Sequence, residues 1–158
     1  MLSVVDAYTR ECLALEVDTS FASRKVTRTL EAIVAERGQP SAIRCDNGPE
    51  LTSRHFLAWC IERQIELVHI QPGKPTQNAH VESFHGRLRE ECLAVSWFQN
   101  LFDARRKISA WQKEYNEERP HMMRWRCSAI SSRIVNRLPS LSNRGICATS
   151  SRNRGRKW

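Results

Sequence analysis

Short apolar runs and apolar positions at helical spacing alternate along the first 115 residues of the chain. The runs at 2–5 and 12–17 are separated by a polar stretch, which predicts two antiparallel strands joined by a turn. Two more short runs, at 43–45 and 65–70, predict further strands. Helical spacing occurs between and after them, so the predicted order is β-β-α-β-α-β-α-α. That order implies a mixed sheet with helices packed on its faces.

Local signals mark the ends of the predicted helices. Ser20 is expected to cap the first helix, which Gly38 ends. Thr52 or Ser53 is expected to cap the second. The predicted core face of that second helix consists of Phe56, Leu57, Cys60 and Ile61. The four predicted helices cover about residues 21–37, 53–61, 76–92 and 101–115.

Composition adds class and charge to this pattern. With 158 residues and 41% hydrophobic residues, the chain suits one globular domain. No apolar run approaches the roughly 20 residues that span a bilayer, so no membrane partner is expected. Residues 122–158 contain eight Arg, one Lys and no acid. They carry the whole net charge of +8, because the remaining 16 basic and 17 acidic residues nearly balance. The six cysteines form no CxxC pair, so we expect reduced thiols and no zinc site.

Asp46 is the first candidate for chemistry. It ends a predicted strand and begins the stretch DNGPE. In α/β sheets ligands gather just beyond strand ends, where a carboxylate is rigidly held yet reachable. The alternative is a plain Asp-Asn-Gly turn, since all three residue types favour turns.

Glu82 is the second candidate. In the predicted helix 76–92 the apolar stripe consists of Val81, Phe84, Leu88 and Cys92. Glu82, His85 and Arg89 share an adjacent polar face. A solvated face is the alternative reading. Gly86 argues against it, because a glycine inside a helix costs about 1 kcal/mol and permits close backbone approach.

Carboxylates from a strand end and a nearby helix can share divalent cations. Oxygen ligands suit Mg²⁺ or Mn²⁺, which also bind phosphate oxygens directly. Without metal, such carboxylates would repel each other and DNA phosphates. The arrangement therefore makes sense chiefly if metal is present, and two such ions could activate the attacking oxygen and stabilise the leaving oxygen. No small-molecule substrate is expected.

Three motifs make the resemblance specific. They are CDNGPELTS, QNAHVESFHGRLREECL and ARRKISAWQKEYNEERPH. Asp46 in the first motif and Glu82 in the second are separated by 35 residues. From about residue 2 to 121 the chain resembles bacterial insertion-sequence transposases with a retroviral-integrase-like DDE core. The resemblance implies a ribonuclease-H-like α/β fold that cuts and joins DNA with two Mg²⁺ or Mn²⁺ ions. Asp46 would be the second catalytic carboxylate and metal ligand, and Glu82 the third.

The same resemblance implies DNA contacts and assembly. Arg89 matches the family's basic position that contacts the DNA end. The partners it implies are DNA ends, target DNA and further transposase subunits, in the bacterial cytoplasm at the nucleoid. The other residues expected to line or shape the site are Asn47, Gly48, Lys74, Gln77, Asn78, Ser83 and Arg87.

Two features depart from the family pattern. The family's first catalytic Asp lies on the strand before the one that opens this chain, so we expect the first strand and its Asp to be missing. Asp6 is a weaker candidate metal ligand, and its ordinary role would be to cap the turn at residues 7–9. After His121 the family pattern stops and the acids disappear.

Three domain segments and three functions remain open. Residues 1–95 are expected to form a partial catalytic core, 96–121 a helical extension, and 122–158 a basic disordered tail with at most one short helix around 127–137. An active DDE transposase would draw its upstream strand from a longer product or a partner chain. The alternatives are an inactive remnant that at most binds DNA or transposase subunits, and a ribonuclease-H-like nuclease.

Overall fold

The computed structural model describes residues 1–70, 79–118 and 145–150. Their strands form one mixed sheet in the order β2-β1-β5-β3-β4. β1 is antiparallel to both β2 and β5, whereas β5, β3 and β4 run parallel to one another. The strands are β1 Leu2–Asp6, β2 Cys12–Glu16, β3 Ala42–Cys45, β4 Glu66–His69 and β5 Gly145–Ser150.

Four α-helices connect and cover these strands, and the predicted order of the first eight elements is confirmed. They are α1 Ser23–Arg37, α2 Arg54–Glu62, α3 Ala79–Arg87 and α4 Leu101–Glu118. A π-helical segment, Leu88–Leu93, continues α3 directly. No helix in the described ranges is long and apolar enough to cross a membrane.

Capping confirms one predicted helix start and corrects another. Ser53 accepts a hydrogen bond from the Phe56 backbone N–H at 3.2 Å, so it is the N-cap of α2. The predicted cap of α1 at Ser20 is wrong. That helix begins at Ser23, and Ala22 occupies the N-cap without a side-chain bond.

Two apolar clusters lie on the two faces of the sheet. α1 and α2 pack with Leu2 and Val4 on one face, while α3 and α4 pack with Val5 on the other. This division follows from strand geometry, because successive side chains point to opposite faces. The predicted core face of α2 is partly wrong: Ile61 is 76% exposed and Leu57 37% exposed, and Trp59 is buried instead.

β5 lies in the middle of the sheet, between β1 and β3. The sequence pattern predicts four strands and little regular structure after residue 121, so this fifth strand was not expected. The rest of the tail, including the helix expected around 127–137, lies outside the described residues. The central strand of the sheet thus comes from the far end of the chain.

Candidate active site

Asp46 directly follows β3 and is held by two backbone donors. Its Oδ1 accepts the Gly48 N–H at 3.0 Å, which is the bond of a local turn. Its Oδ2 accepts the Ser150 N–H of β5 at 3.3 Å. The turn reading of the sequence is therefore correct but incomplete, because the second oxygen is bound to a distant strand.

Burial shapes the charge of this carboxyl group. Loss of water around Asp46 raises its pKa, and the nearby Glu50 carboxylate raises it further. The two N–H donors act in the opposite direction. Glu50 is itself only 7% exposed. Asp46 and Glu50 thus concentrate negative charge in a poorly solvated place, where a cation would be favoured.

Gly48 allows the two carboxylates to lie this close. A Cβ at this position would stand 3.1 Å from Asp46 Oδ1 and 3.1 Å from Glu50 Oε1. Glu50 was not among the site residues expected from the sequence. The available signal was an acid four residues after Asp46 in the same turn, DNGPE.

α3 presents the face predicted for it. Val81, Phe84 and Leu88 are each 1% exposed, which confirms the apolar stripe. Because the stripe is buried on the sheet and α4, Glu82 and Arg89 are left exposed. The close backbone approach expected at Gly86 is not seen among the described residues, since a Cβ there would meet no atom within 4 Å.

His85 differs from its neighbours on the predicted polar face, because it turns toward the sheet. Its Nε2 lies 2.8 Å from Ser3 Oγ and 3.4 Å from Thr149 Oγ1, and these two hydroxyl oxygens are 2.8 Å apart. Burial lowers the pKa of His85, and the positive charge of Arg89 lowers it further. The three side chains join α3, β1 and β5 through one hydrogen-bonded cluster. No sequence signal pointed to Thr149.

Register and this cluster link Asp46 to the helix that carries Glu82. Cys45 pairs with Ala148, so the next pair in register places Asp46 beside Thr149. Thr149 contacts His85, and Glu82 lies one helical turn before His85 on α3. Within the described ranges, however, no three His, Cys, Asp or Glu side chains are grouped as a metal site.

Asp6 lies at the opposite end of the sheet from Asp46. It pairs with Ile146 near the start of β5, whereas Asp46 is bound to Ser150 at the end of that strand. Asp6 Oδ1 accepts the N–H groups of Tyr8 at 2.7 Å and Thr9 at 2.9 Å. Its geometry is that of a turn cap, which was the ordinary reading, and it does not join the site of Asp46.

Three of the predicted DNA contacts, Asn47, Arg87 and Arg89, belong to the described residues, and all three are exposed. Asn47 is exposed next to Asp46. Arg87 and Ser83 line a cleft of about 300 Å³ together with Arg10 and Tyr115, and Glu82 is not part of that lining. Lys74, Gln77 and Asn78 lie outside the described residues.

Two relatives by sequence are proteins of bacterial insertion elements. Over 120 residues the chain is 48% identical to the insertion element IS476 uncharacterized 39.2 kDa protein of Xanthomonas euvesicatoria, covering 76% of this chain and 35% of that protein. It is 47% identical over 120 residues to the insertion element IS407 uncharacterized 31.7 kDa protein of Burkholderia multivorans, covering 76% and 43%. The chain thus spans less than half the length of either relative.

The fold has a solved counterpart. A chain of the simian T-cell lymphotropic virus intasome, in complex with PP2A regulatory subunit B56 gamma, matches with a TM-score of 0.63 at 21% identity. The match covers 88% of this chain and 51% of that chain. This likeness concerns the fold, and it confirms the predicted ribonuclease-H-like mixed sheet with flanking helices.

Two family models complete the assignment. Both are described as the integrase core domain, and they match residues 1–75 and 63–123. Between them they span most of the chain, including the DNGPE turn and the helix that carries Glu82. The resemblance seen in the sequence motifs is confirmed: the chain belongs to the integrase core domain family found in proteins of bacterial insertion elements.

Proposed function

We propose that this chain is the catalytic-core part of an insertion-sequence transposase, which moves DNA by metal-dependent polynucleotidyl transfer. The observation that carries the proposal is the setting of Asp46. A desolvated carboxylate stands at a strand end, fixed by two backbone donors, beside the strand that contacts the helix of Glu82. Family membership supports the reaction class.

The donor chemistry near Asp46 fits a hard divalent cation. Asp46 and Glu82 would hold Mg²⁺ or Mn²⁺, which commonly use one or two carboxylates and complete their shells with water and substrate phosphates. Burial and the nearby Glu50 raise the pKa of Asp46, so a positive charge close by would stabilise its ionised form. When bound, the metal would activate the attacking oxygen and stabilise the leaving oxygen.

The chain's own residues would orient the DNA and the carboxylates. The N–H groups of Gly48 and Ser150 fix the direction of the Asp46 carboxylate. Arg89 and Arg87 are exposed on the segment that carries Glu82, where each can bind a DNA phosphate. Asn47, exposed beside Asp46, would contact the DNA there.

The proposed partners are the ends of an insertion element, target DNA and further transposase subunits. The chain matches only 35% and 43% of its two relatives, so the whole protein would contain more than this core. We place its action in the bacterial cytoplasm at the nucleoid. Residues 1–95 would form the core and 96–121 its helical extension.

The test uses duplex oligonucleotides that carry the terminal repeats of the encoding element, labelled at the 5′ end of the strand to be joined, with Mn²⁺ or Mg²⁺. We expect 3′-end cleavage and joining to a second duplex, abolished by Asp46→Asn and by Glu82→Ala. Glu90→Ala is the matched control, because Glu90 is also an exposed acid on the same helical segment. Cleavage without joining or end preference would instead indicate a ribonuclease-H-like nuclease.

A second candidate function is DNA binding without catalysis. One observation favours it. Continuing the register places Thr149 beside Asp46 on the central strand, and this neutral residue offers no further carboxylate for a metal ion. Electrophoretic mobility shifts with the same duplexes distinguish the two. An inactive remnant would bind DNA without metal-dependent cleavage, and Arg89→Ala would weaken that binding and reduce its salt dependence.

A further inference from the structure

β5 fills a slot in the centre of the sheet. On one side, residues Ser150 to Ile146 of β5 pair antiparallel with Leu2 to Asp6 of β1. On the other side Ala42 to Cys45 of β3 pair parallel with Gly145 to Ala148. Strands in a sheet are about 4.8 Å apart, so β1 and β3 are separated by the width of one strand.

The slot selects its occupant through both faces. Ile146 and Ala148 join the core under α1 and α2, and Ala148 is fully buried. On the opposite face, the Thr149 hydroxyl is 2.8 Å from Ser3 Oγ. A fitting segment is therefore extended, six residues long and apolar on one face, with a small residue at the position of Ala148, and it carries a hydroxyl near its C-terminal end on the other face.

Occupancy has two physical consequences. Without a strand in the slot, β1 and β3 would both be open edges with unpaired backbone groups, and the hairpin β1–β2 would share no ladder with β3–β4. The Asp46 carboxylate would also lose the Ser150 N–H. Filling the slot thus completes the sheet and positions Asp46 in one step.

We propose that the slot between β1 and β3 is a binding site for an extended peptide strand. Gly145–Ser150 occupies it in this chain, and the slot accepts the same strand from a separate polypeptide. The contacts have the form of β-strand addition, with main-chain hydrogen bonds for affinity and side-chain pockets for selection. This proposal concerns the fold and does not depend on catalytic activity.

Disulfide trapping tests the occupant in the full chain. The pair Ser3→Cys and Thr149→Cys replaces two side chains whose oxygens are 2.8 Å apart, so mild oxidation should form an intramolecular disulfide. The control pair is Ser3→Cys with Ala148→Cys, because residue 148 points to the other face. Peptide mapping by mass spectrometry should find the 3–149 bond in most molecules and the 3–148 bond in few. Equal yields of the two bonds would overturn the assignment, whereas a 3–149 bond between two chains would show the slot filled by the strand of a separate polypeptide.

Peptide rescue tests the slot as a binding site. Ala148→Asp places a charge in a fully buried position, which should eject β5 and lower the Tm by roughly 10 °C or more. A synthetic peptide of residues 143–152 should then raise the Tm, while a scrambled peptide should not. Ile33→Asp is the matched control, since it damages the same core from α1 and leaves the slot filled. Absence of rescue for Ala148→Asp, or equal rescue of both variants, would overturn the proposal. If Ala148→Asp yields no soluble protein, the trapping experiment decides.

Discussion

Phe84 is the side chain on which the placement of α3, and therefore of Glu82, most depends. It is 1% exposed, and its ring centroid lies 5.6 Å from that of Trp111 and 5.1 Å from that of Tyr115 on α4. Phe84→Ala should lower the free energy of unfolding by about 3–5 kcal/mol, because it removes a buried ring and leaves a cavity. The two ring contacts favour the upper part of this range, since aromatic pairs contribute about 0.5–1.5 kcal/mol each.

Urea unfolding followed by far-ultraviolet circular dichroism at pH 7 measures this loss. Phe102→Ala is the matched control, because Phe102 is 76% exposed and its loss should change stability by no more than about 0.5 kcal/mol. Phe84→Leu keeps most of the volume and should cost clearly less than Phe84→Ala. Equal losses for Phe84→Ala and Phe102→Ala would refute the packing of α3 against α4 and the sheet.

Further substitutions probe the site and its surroundings. Gly48→Ala should cost about 1–3 kcal/mol by overpacking and weaken Mn²⁺ binding measured by calorimetry, because the new Cβ would stand 3.1 Å from both carboxylates; unchanged Mn²⁺ affinity would contradict this. The pKa of Asp46 is raised, so its ionised form costs stability as pH rises above the ordinary value of 3.8. Asp46→Asn should therefore gain stability relative to wild type between pH 4 and 7 in urea unfolding, and a constant difference would argue against a desolvated carboxyl group. The pKa of His85 is lowered, so the stability that neutral His85 contributes is present above about pH 6.5 and is lost as pH falls. His85→Gln should therefore flatten the loss of stability between pH 7 and 5, with the wild-type urea midpoint as the reference. Asp6→Asn should lower stability through its turn and leave Mn²⁺ affinity unchanged, whereas reduced affinity would return Asp6 to the metal site.

Elements set by nearby residues were predictable from the sequence. The buried stripe on α3 follows from apolar spacing at i, i+3 and i+7, and Ser53 caps α2 because its oxygen reaches an N–H only three residues ahead. Asp46 was recognisable as a candidate because a strand pattern ends there, and the interval to Glu82 together with the flanking motifs identified the family. Each of these signals lies within a short stretch or a fixed spacing along the chain.

Neighbours in space decided the rest. Sequence order placed Ile61 on a core face, but the packing of α2 on the sheet buried Trp59 instead. His85 has the same helical phase as Glu82 and Arg89, yet the hydroxyls of Ser3 and Thr149 turn it inward. Asp6 ends a strand as Asp46 nearly does, but the antiparallel direction of β1 puts it at the opposite end of the sheet.

The sequence by itself determined the order of the first eight elements and pointed to the two candidate carboxylates, because periodicity, caps and motif spacing are local properties. Only the tertiary structure decided what lies between β1 and β3. A strand of six residues has a weak local signal, and its stability comes from partners about 100 and 140 positions away in the chain. The same long-range pairing brings Ser150 to Asp46 and Thr149 to His85, so the surroundings of the site depend on a strand that its own sequence did not reveal.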